Sequence, residues 1–509
     1  MYTNALIKLL ETLSDKELAR FSKFLNSPYY NNRKALINFF NVLRKFHPGF
    51  EQKNFTKENI FKKLYRNKKY NDSTVRNLAS DLLKCLLFFL KAERMKREDI
   101  ESSFFLSHEL FEKNAYDLFK KEMSKTELLL EKKNTFDGDY FYNRYKINTD
   151  LFYLNLLTQK VLKKNYVVSE SKKMTDGIIF ILIFFIIESI KHNDNLLKYT
   201  RSYNINRYKE FITDFIKIFN FEEMIKFVNK NSSLKIHIIE IYYSLLKAFI
   251  NFEDEKYYFE YKNNLKEYSG SLGINDNNFL FSRLLDYCVL KINSSQKTSF
   301  DIQMEIFELN KIYIEKEYYK TGTSSYIPFD LYRNVLLNCI TVNKLGYMET
   351  FIKKYSKFLH PSQIFSIESY SLALFHFQKS DFEKALQCIN KIKFDQFVYK
   401  LDMKNLQLKI HYEIGEFDAT LYFIDSYRHF LKNNKLISES RRIFHNNFLS
   451  SVQKLSLYKS GSRNVNLEYL YDTVNASDNI FDKNWILMKI SDLISNKGKQ
   501  TAQKNLIRS

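Results

Sequence analysis

The chain has 509 residues, 45% of them hydrophobic, and a formal net charge of +21. That length suits three or four ordinary domains or one continuous superhelix, and the apolar fraction excludes wholesale disorder. Four prolines and ten glycines, together about a quarter of average usage, argue against turn-rich β folds and for an all-α chain.

Of the 79 basic residues 62 are lysine. Lys, Asn, Ile, Phe and Tyr, all specified by AT-rich codons, are abundant together, so coding bias alone can raise the charge. Position says more than the total. Residues 1–100 carry 21 basic and 10 acidic side chains, the other 409 carry 58 and 48. Positive charge is concentrated at the N-terminal end.

Residues 1–98 read as a compact basic helical domain. Ser14 and Glu17 have capping-box spacing and open a helix with Leu18, Phe21, Phe24 and Leu25 on one face. Ser27-Pro28 closes it. A second helix, Arg33 to Phe46, turns Leu36, Phe39, Phe40 and Leu43 inward. Thr56 caps a short helix through Tyr65, and Asp72 or Ser73 starts a long one through Arg94. Across their junction runs the basic stretch Lys53 to Arg76, with Lys62, Lys63, Arg66, Lys68, Lys69 and Arg76 around Tyr65 and Tyr70. Cations on a loop leading to a helix N-terminus suit phosphate, through charge and orphan N–H donors. A solvated face in a lysine-biased chain is the competing account.

Residues 99–329 read as helical hairpins with short polar joints at Asp137-Gly138-Asp139, Asn193-Asp194-Asn195 and Ser269 to Gly273. The longest apolar run, Ile178 to Ile187, is half of what a bilayer span needs and is expected in a buried helix. The N-terminus turns charged too early for a signal peptide. Cys85, Cys288, Cys339 and Cys388 lie in apolar stretches without C-x-x-C spacing, which fits a reduced, cytoplasmic setting.

Residues 330–433 hold three hairpins with a period of 35: Tyr347, Phe382 and Phe417 follow a turn, and Thr350, Ala385 and Thr420 come three later. Such a period marks stacked repeats, none of which buries its own apolar face. YSLALFHFQKSDFEKALQCINK, with Leu372, Ala373, Phe382, Ala385 and Ile389 at the apolar, small and aromatic positions, resembles the tetratricopeptide repeat. The resemblance implies an α-solenoid whose first helices line a concave, partner-binding groove. On its spacing the groove residues are Val342, Asn343, Phe377, Gln378, Lys409, Tyr412 and Glu413. Residues 434–496 are expected to cap the stack, and 497–509 to form a disordered basic tail. Through LSDKELARFSKFLNSPYYN and KKYNDSTVRNLASDLL the whole chain also resembles a group of bacterial helical proteins, which implies no activity.

No phosphate-cradling glycine loop, H-E-x-x-H or G-x-S-x-G occurs. His376 and His411, one period apart, lack the third ligand that zinc needs and read as replacements for a core aromatic. The expected function is a non-enzymatic scaffold binding a protein or peptide, without cofactor or metal; the alternative is a nucleic-acid-associated regulator using the basic domain.

Overall fold

The computed structural model describes residues 5–508 apart from 51–53, 98, 134, 159–163, 204–208, 233–235, 295–296, 323–324, 362, 393–396, 436 and 463, with only the backbone of the last helix beyond 496. Lys53 of the basic stretch therefore lies outside the described residues. The fold is all-helical, with no strand among the described residues. It divides into two compact units, Met1–Tyr243 and Ser244–Ser509. No helix is long and apolar enough to cross a membrane among the described residues.

In the first unit α1 (Ala5–Glu11), α2 (Asp15–Leu25), α3 (Lys34–Arg44), α4 (Lys57–Leu64) and α5 (Asp72–Met95) surround one core. Both halves of the capping box at α2 form: Ser14 accepts from the Glu17 N–H and Glu17 accepts from the Ser14 N–H. Phe21, Phe39, Phe40, Leu82, Leu86 and Phe89 fill the centre. The unit continues through α6 (Asp99–Glu112), α7 (Tyr116–Lys132), α8 (Gly138–Thr158), α9 (Lys164–Tyr203), α10 (Lys209–Ile218) and α11 (Phe221–Asn231). The joint expected at Asn193-Asp194-Asn195 is instead the interior of α9. Asn193 and Asp194 are buried there, and the Asn193 amide donates to the Ser189 carbonyl one turn back at 2.8 Å. That bond gives the side-chain amide a partner within the helix, while its buried Oδ1 has none.

The boundary between the units falls inside α12 (His237–Ile250). The second unit then runs through α13 (Glu255–Tyr268), α14 (Ile274–Asn293), α15 (Ile302–Glu315), α16 (Phe329–Thr341), α17 (Leu345–Tyr355), α18 (Ile364–Gln378), α19 (Phe382–Ile389), α20 (Phe397–Ile414) and α21 (Phe417–Asn433). It ends with α22 (Glu439–Lys459), α23 (Leu467–Ala476) and α24 (Lys483–Arg508). Helix α24 is helical over the stretch expected to be a disordered tail. From α15 to α22 each helix packs on the next in sequence, so contacts are local.

Five helices among the described residues of this unit close in the same way, at Glu317 and Gly461 and at three matched places in the hairpins. Asn343 (φ 53°), Ser380 (φ 58°) and Gly415 (φ 91°) are left-handed. Each donates its N–H to the carbonyl three back (Ile340, Phe377, Tyr412), and the next N–H donates five back (Cys339, His376, His411). This is the Schellman closure, which satisfies the last carbonyls of α16, α18 and α20. Counted from it, Leu336, Ala373 and Leu408 are equivalent, as are Ile352, Ile389 and Ile424, and all six are buried.

The closures stand 37 and then 35 residues apart, so the uniform period of 35 fails at its first step. Leu345 takes the place of Phe382 and Phe417, and Met348 that of Ala385 and Thr420, all three of the latter set being buried. Thr350 is exposed, and Tyr347 packs on Phe307 and Phe351. Phe382 and Phe417 do share surroundings, on Phe377 at 5.5 Å and on Tyr412 at 6.3 Å.

Candidate functional site

A cavity of about 620 Å³ lies in the second unit, among the first helices of these hairpins and the start of α24. Residues two, six and ten before each left-handed residue line it: Thr341, Leu337 and Arg333 on α16, Gln378, Leu374 and Tyr370 on α18, Glu413, Lys409 and Asn405 on α20. A four-residue step keeps side chains on one helix face, so three alternate helices, α16, α18 and α20, present a three-by-three grid to one space.

The register decides which expected groove residues reach this space. Phe377, Gln378, Lys409 and Glu413 line it. Val342 and Asn343 do not, because the longer first step puts Ile340 and Thr341 in their places, and Asn343 becomes the closure residue. Tyr412 points away, fully buried among Phe417, Phe448 and Trp485. Sequence reasoning missed Arg333, Tyr370 and Asn405, although they stand two four-residue steps before Thr341, Gln378 and Glu413. It also missed Asp482, Trp485 and Lys489, which come from the start of α24 and the residue before it, far along the chain.

The charges inside the cavity are paired one to one. Arg333 grips Asp402 with two hydrogen bonds, the Nη2 to Oδ1 contact being 2.9 Å. Lys409 Nζ lies 2.6 Å from Asp482 and 4.9 Å from the Phe377 ring centroid. Glu413 accepts from Lys489 at 2.7 Å and from the Trp485 indole at 3.1 Å. Five of these six charged side chains are three-quarters or more buried, and Asp482 is nearly so. Burial pushes the Tyr370 hydroxyl far above its usual range, with Arg333 beside it. Asn405 is buried too; its carbonyl accepts from Tyr427 while its amide nitrogen has no partner. The remaining walls are mostly apolar (Leu337, Ile340, Leu374, Phe382, Leu406, Phe481 and Met488), with Ser380 and Asn484 as further polar members. A lining whose six charges pair off and whose other walls are mostly apolar suits apolar contact, with polar groups that orient.

His376 and His411 do hold equivalent places, each facing the carboxylate five residues on, Asp381 at 3.7 Å and Glu416 at 2.9 Å. They face these carboxylates rather than each other. No group of side chains among the described residues has the composition of a metal site.

In the first unit the basic stretch lies on α4, the following loop and the start of α5. Lys62, Lys63, Arg66, Lys68, Lys69 and Arg76 are all exposed. Lys63 covers Phe46 and Lys68 covers Tyr65. The donors expected to meet phosphate are already taken: Asn71 Oδ1 accepts from the N–H groups of Ser73 and Thr74. Asp72, in the first turn, is held by Lys57 and Arg76, and the hydrogen bonds from Lys57 and Tyr70 lower its carboxyl pKa. Asn71 and Asp72 thus leave cations there, but no open N-terminus. Compared with known proteins, the chain matches no family model, no curated protein and no solved structure.

Proposed function

We propose that the second unit is a tetratricopeptide-like α-solenoid and that the protein is a non-enzymatic, cytoplasmic scaffold holding an apolar segment of a protein partner in this cavity. The observation that carries the reading is the grid: nine side chains at three matched positions on the first helices of three successive hairpins, facing one space. A cavity of about 620 Å³ is of the size that takes a few side chains or a short segment. Fixed helices limit the ordering cost of association. Pairing of every charge in the lining favours uncharged, apolar segments over acidic tails. Four free cysteines, two of them fully buried, accord with a reducing compartment.

Site-specific photo-crosslinking in cells tests this. A crosslinker at Gln378 or Met488 should yield a discrete partner adduct that Thr341→Arg, which plugs the cavity, abolishes. The same probe at Tyr422, exposed on α21, should not yield it. Adducts of equal yield from Tyr422, or none from the cavity, would remove the scaffold reading.

A further inference from the structure

The first unit carries a second surface, independent of the groove reading. Tyr29, Tyr30 and Phe88 are 88%, 42% and 51% exposed. They form a fixed platform. The Tyr30 ring stacks on Phe24 at 4.2 Å with an interplanar angle of 16°, Phe88 lies 5.5 Å from Tyr30, and Tyr29 stands edge-on to Tyr30 at 5.0 Å. Asn31 pins the turn that presents them, donating to the Leu25 carbonyl and accepting from the Arg33 N–H. The rings are therefore preorganised for contact.

Cations frame the platform. Lys84 and Lys91, four residues before and three after Phe88, share its face of α5 and are exposed. Arg33 follows the turn, and it and Lys84 both hold Asp81, leaving that cluster one positive charge in excess. No acidic residue is among the exposed residues of α5. Four of the patch's five apolar side chains are aromatic (Phe24, Tyr29, Tyr30 and Phe88, with Leu87). A bilayer or a protein groove would accept aliphatic ones equally. Rings flanked by cations match a chain that alternates flat bases with phosphates, and the bases must be unpaired to stack.

We propose that this face binds single-stranded nucleic acid, with bases stacked on Tyr29, Tyr30 and Phe88 and phosphates held by Arg33, Lys84 and Lys91. The test is fluorescence anisotropy of a labelled oligothymidylate of about 12 nucleotides with the full chain over a salt series. Tyr29→Ala and Tyr30→Ala should each weaken binding roughly tenfold, whereas Tyr30→Phe, which keeps the stack, should not. Lys84→Gln with Lys91→Gln should flatten the plot of log affinity against log salt by about 0.7 for each phosphate left without its cation. A duplex of equal length should bind more weakly. No binding at about 50 mM salt would overturn the proposal, as would affinity unchanged by Tyr29→Ala, a site too exposed to disturb folding. Equal affinity for the duplex, or binding confined to phosphatidylserine vesicles, would overturn it as well.

Discussion

Helix α5 of the first unit and the cavity of the second each organise three carboxylates, in opposite ways. On α5 each acid takes two cations: Asp72 has Lys57 and Arg76, Asp81 has Arg33 and Lys84, Glu93 has Arg20 and Lys96. In the cavity each takes one: Asp402 has Arg333, Asp482 has Lys409, Glu413 has Lys489. The first arrangement leaves surplus positive charge at solvent, where it attracts polyanions and adds little stability. The second leaves none, in a setting where an unpaired charge would be costly. The excess of cations around α5 is thus placed at the surface, while the cavity is balanced.

The contrast can be broken by substitution. Trp485→Ala removes the anchor that α24 sets against Tyr412 and Phe448, and should cost about 3–5 kcal/mol in denaturant unfolding. Glu413→Ala strands Lys489 and the Trp485 N–H and should cost about 2–4 kcal/mol, whereas Asp81→Ala on α5 should cost less than about 1 kcal/mol. Equal losses from the two acids would erase the distinction. His445 sharpens it by pH. Burial, with Arg441 nearby, pushes its imidazole down to about 4. Between there and the usual value near 6.5 the unfolded chain takes up a proton that the fold refuses, so stability falls as pH drops through that window. The loss should be about 1–2 kcal/mol, and His445→Gln should flatten it. Phe382→Ala, at a half-buried cavity wall, should cost about 1–2 kcal/mol, well short of a core aromatic. Smallest is Ser380→Gly, which relieves a left-handed serine and should stabilise by roughly 0.5 kcal/mol, while Gly415→Ala at the matching turn should destabilise.

Local signals were readable in the sequence because their physics is local. The capping box at Ser14, the helix starts at Thr56 and Asp72, and the three hairpins after residue 329 all rest on a few consecutive residues. The period was legible only where its markers were aromatic. Tyr347 imitates Phe382 by type but not by place, because two extra residues separate the first closure from the second. The fixed point is the left-handed residue, and Asn343 and Ser380 do not announce that conformation as Gly415 does. Asn193-Asp194-Asn195 misled for the reverse reason: a residue that favours turns can sit inside a helix when its amide bonds the carbonyl one turn back, as Asn193 does. The contribution of α24 and the residue before it to the cavity could not be read at all, since Lys409 and Asp482 are 73 residues apart and nothing in either predicts the other.

The matched closures also say where this molecule tolerates change in length. Because each cavity-lining trio is counted backward from its own left-handed residue, an insertion on the far side of that residue leaves the trio in place, as the two extra residues of the first hairpin already do. Asn343, Ser380 and Gly415 are therefore natural splice points. A first helix exchanged as a cassette ending there would carry its cavity-lining face intact.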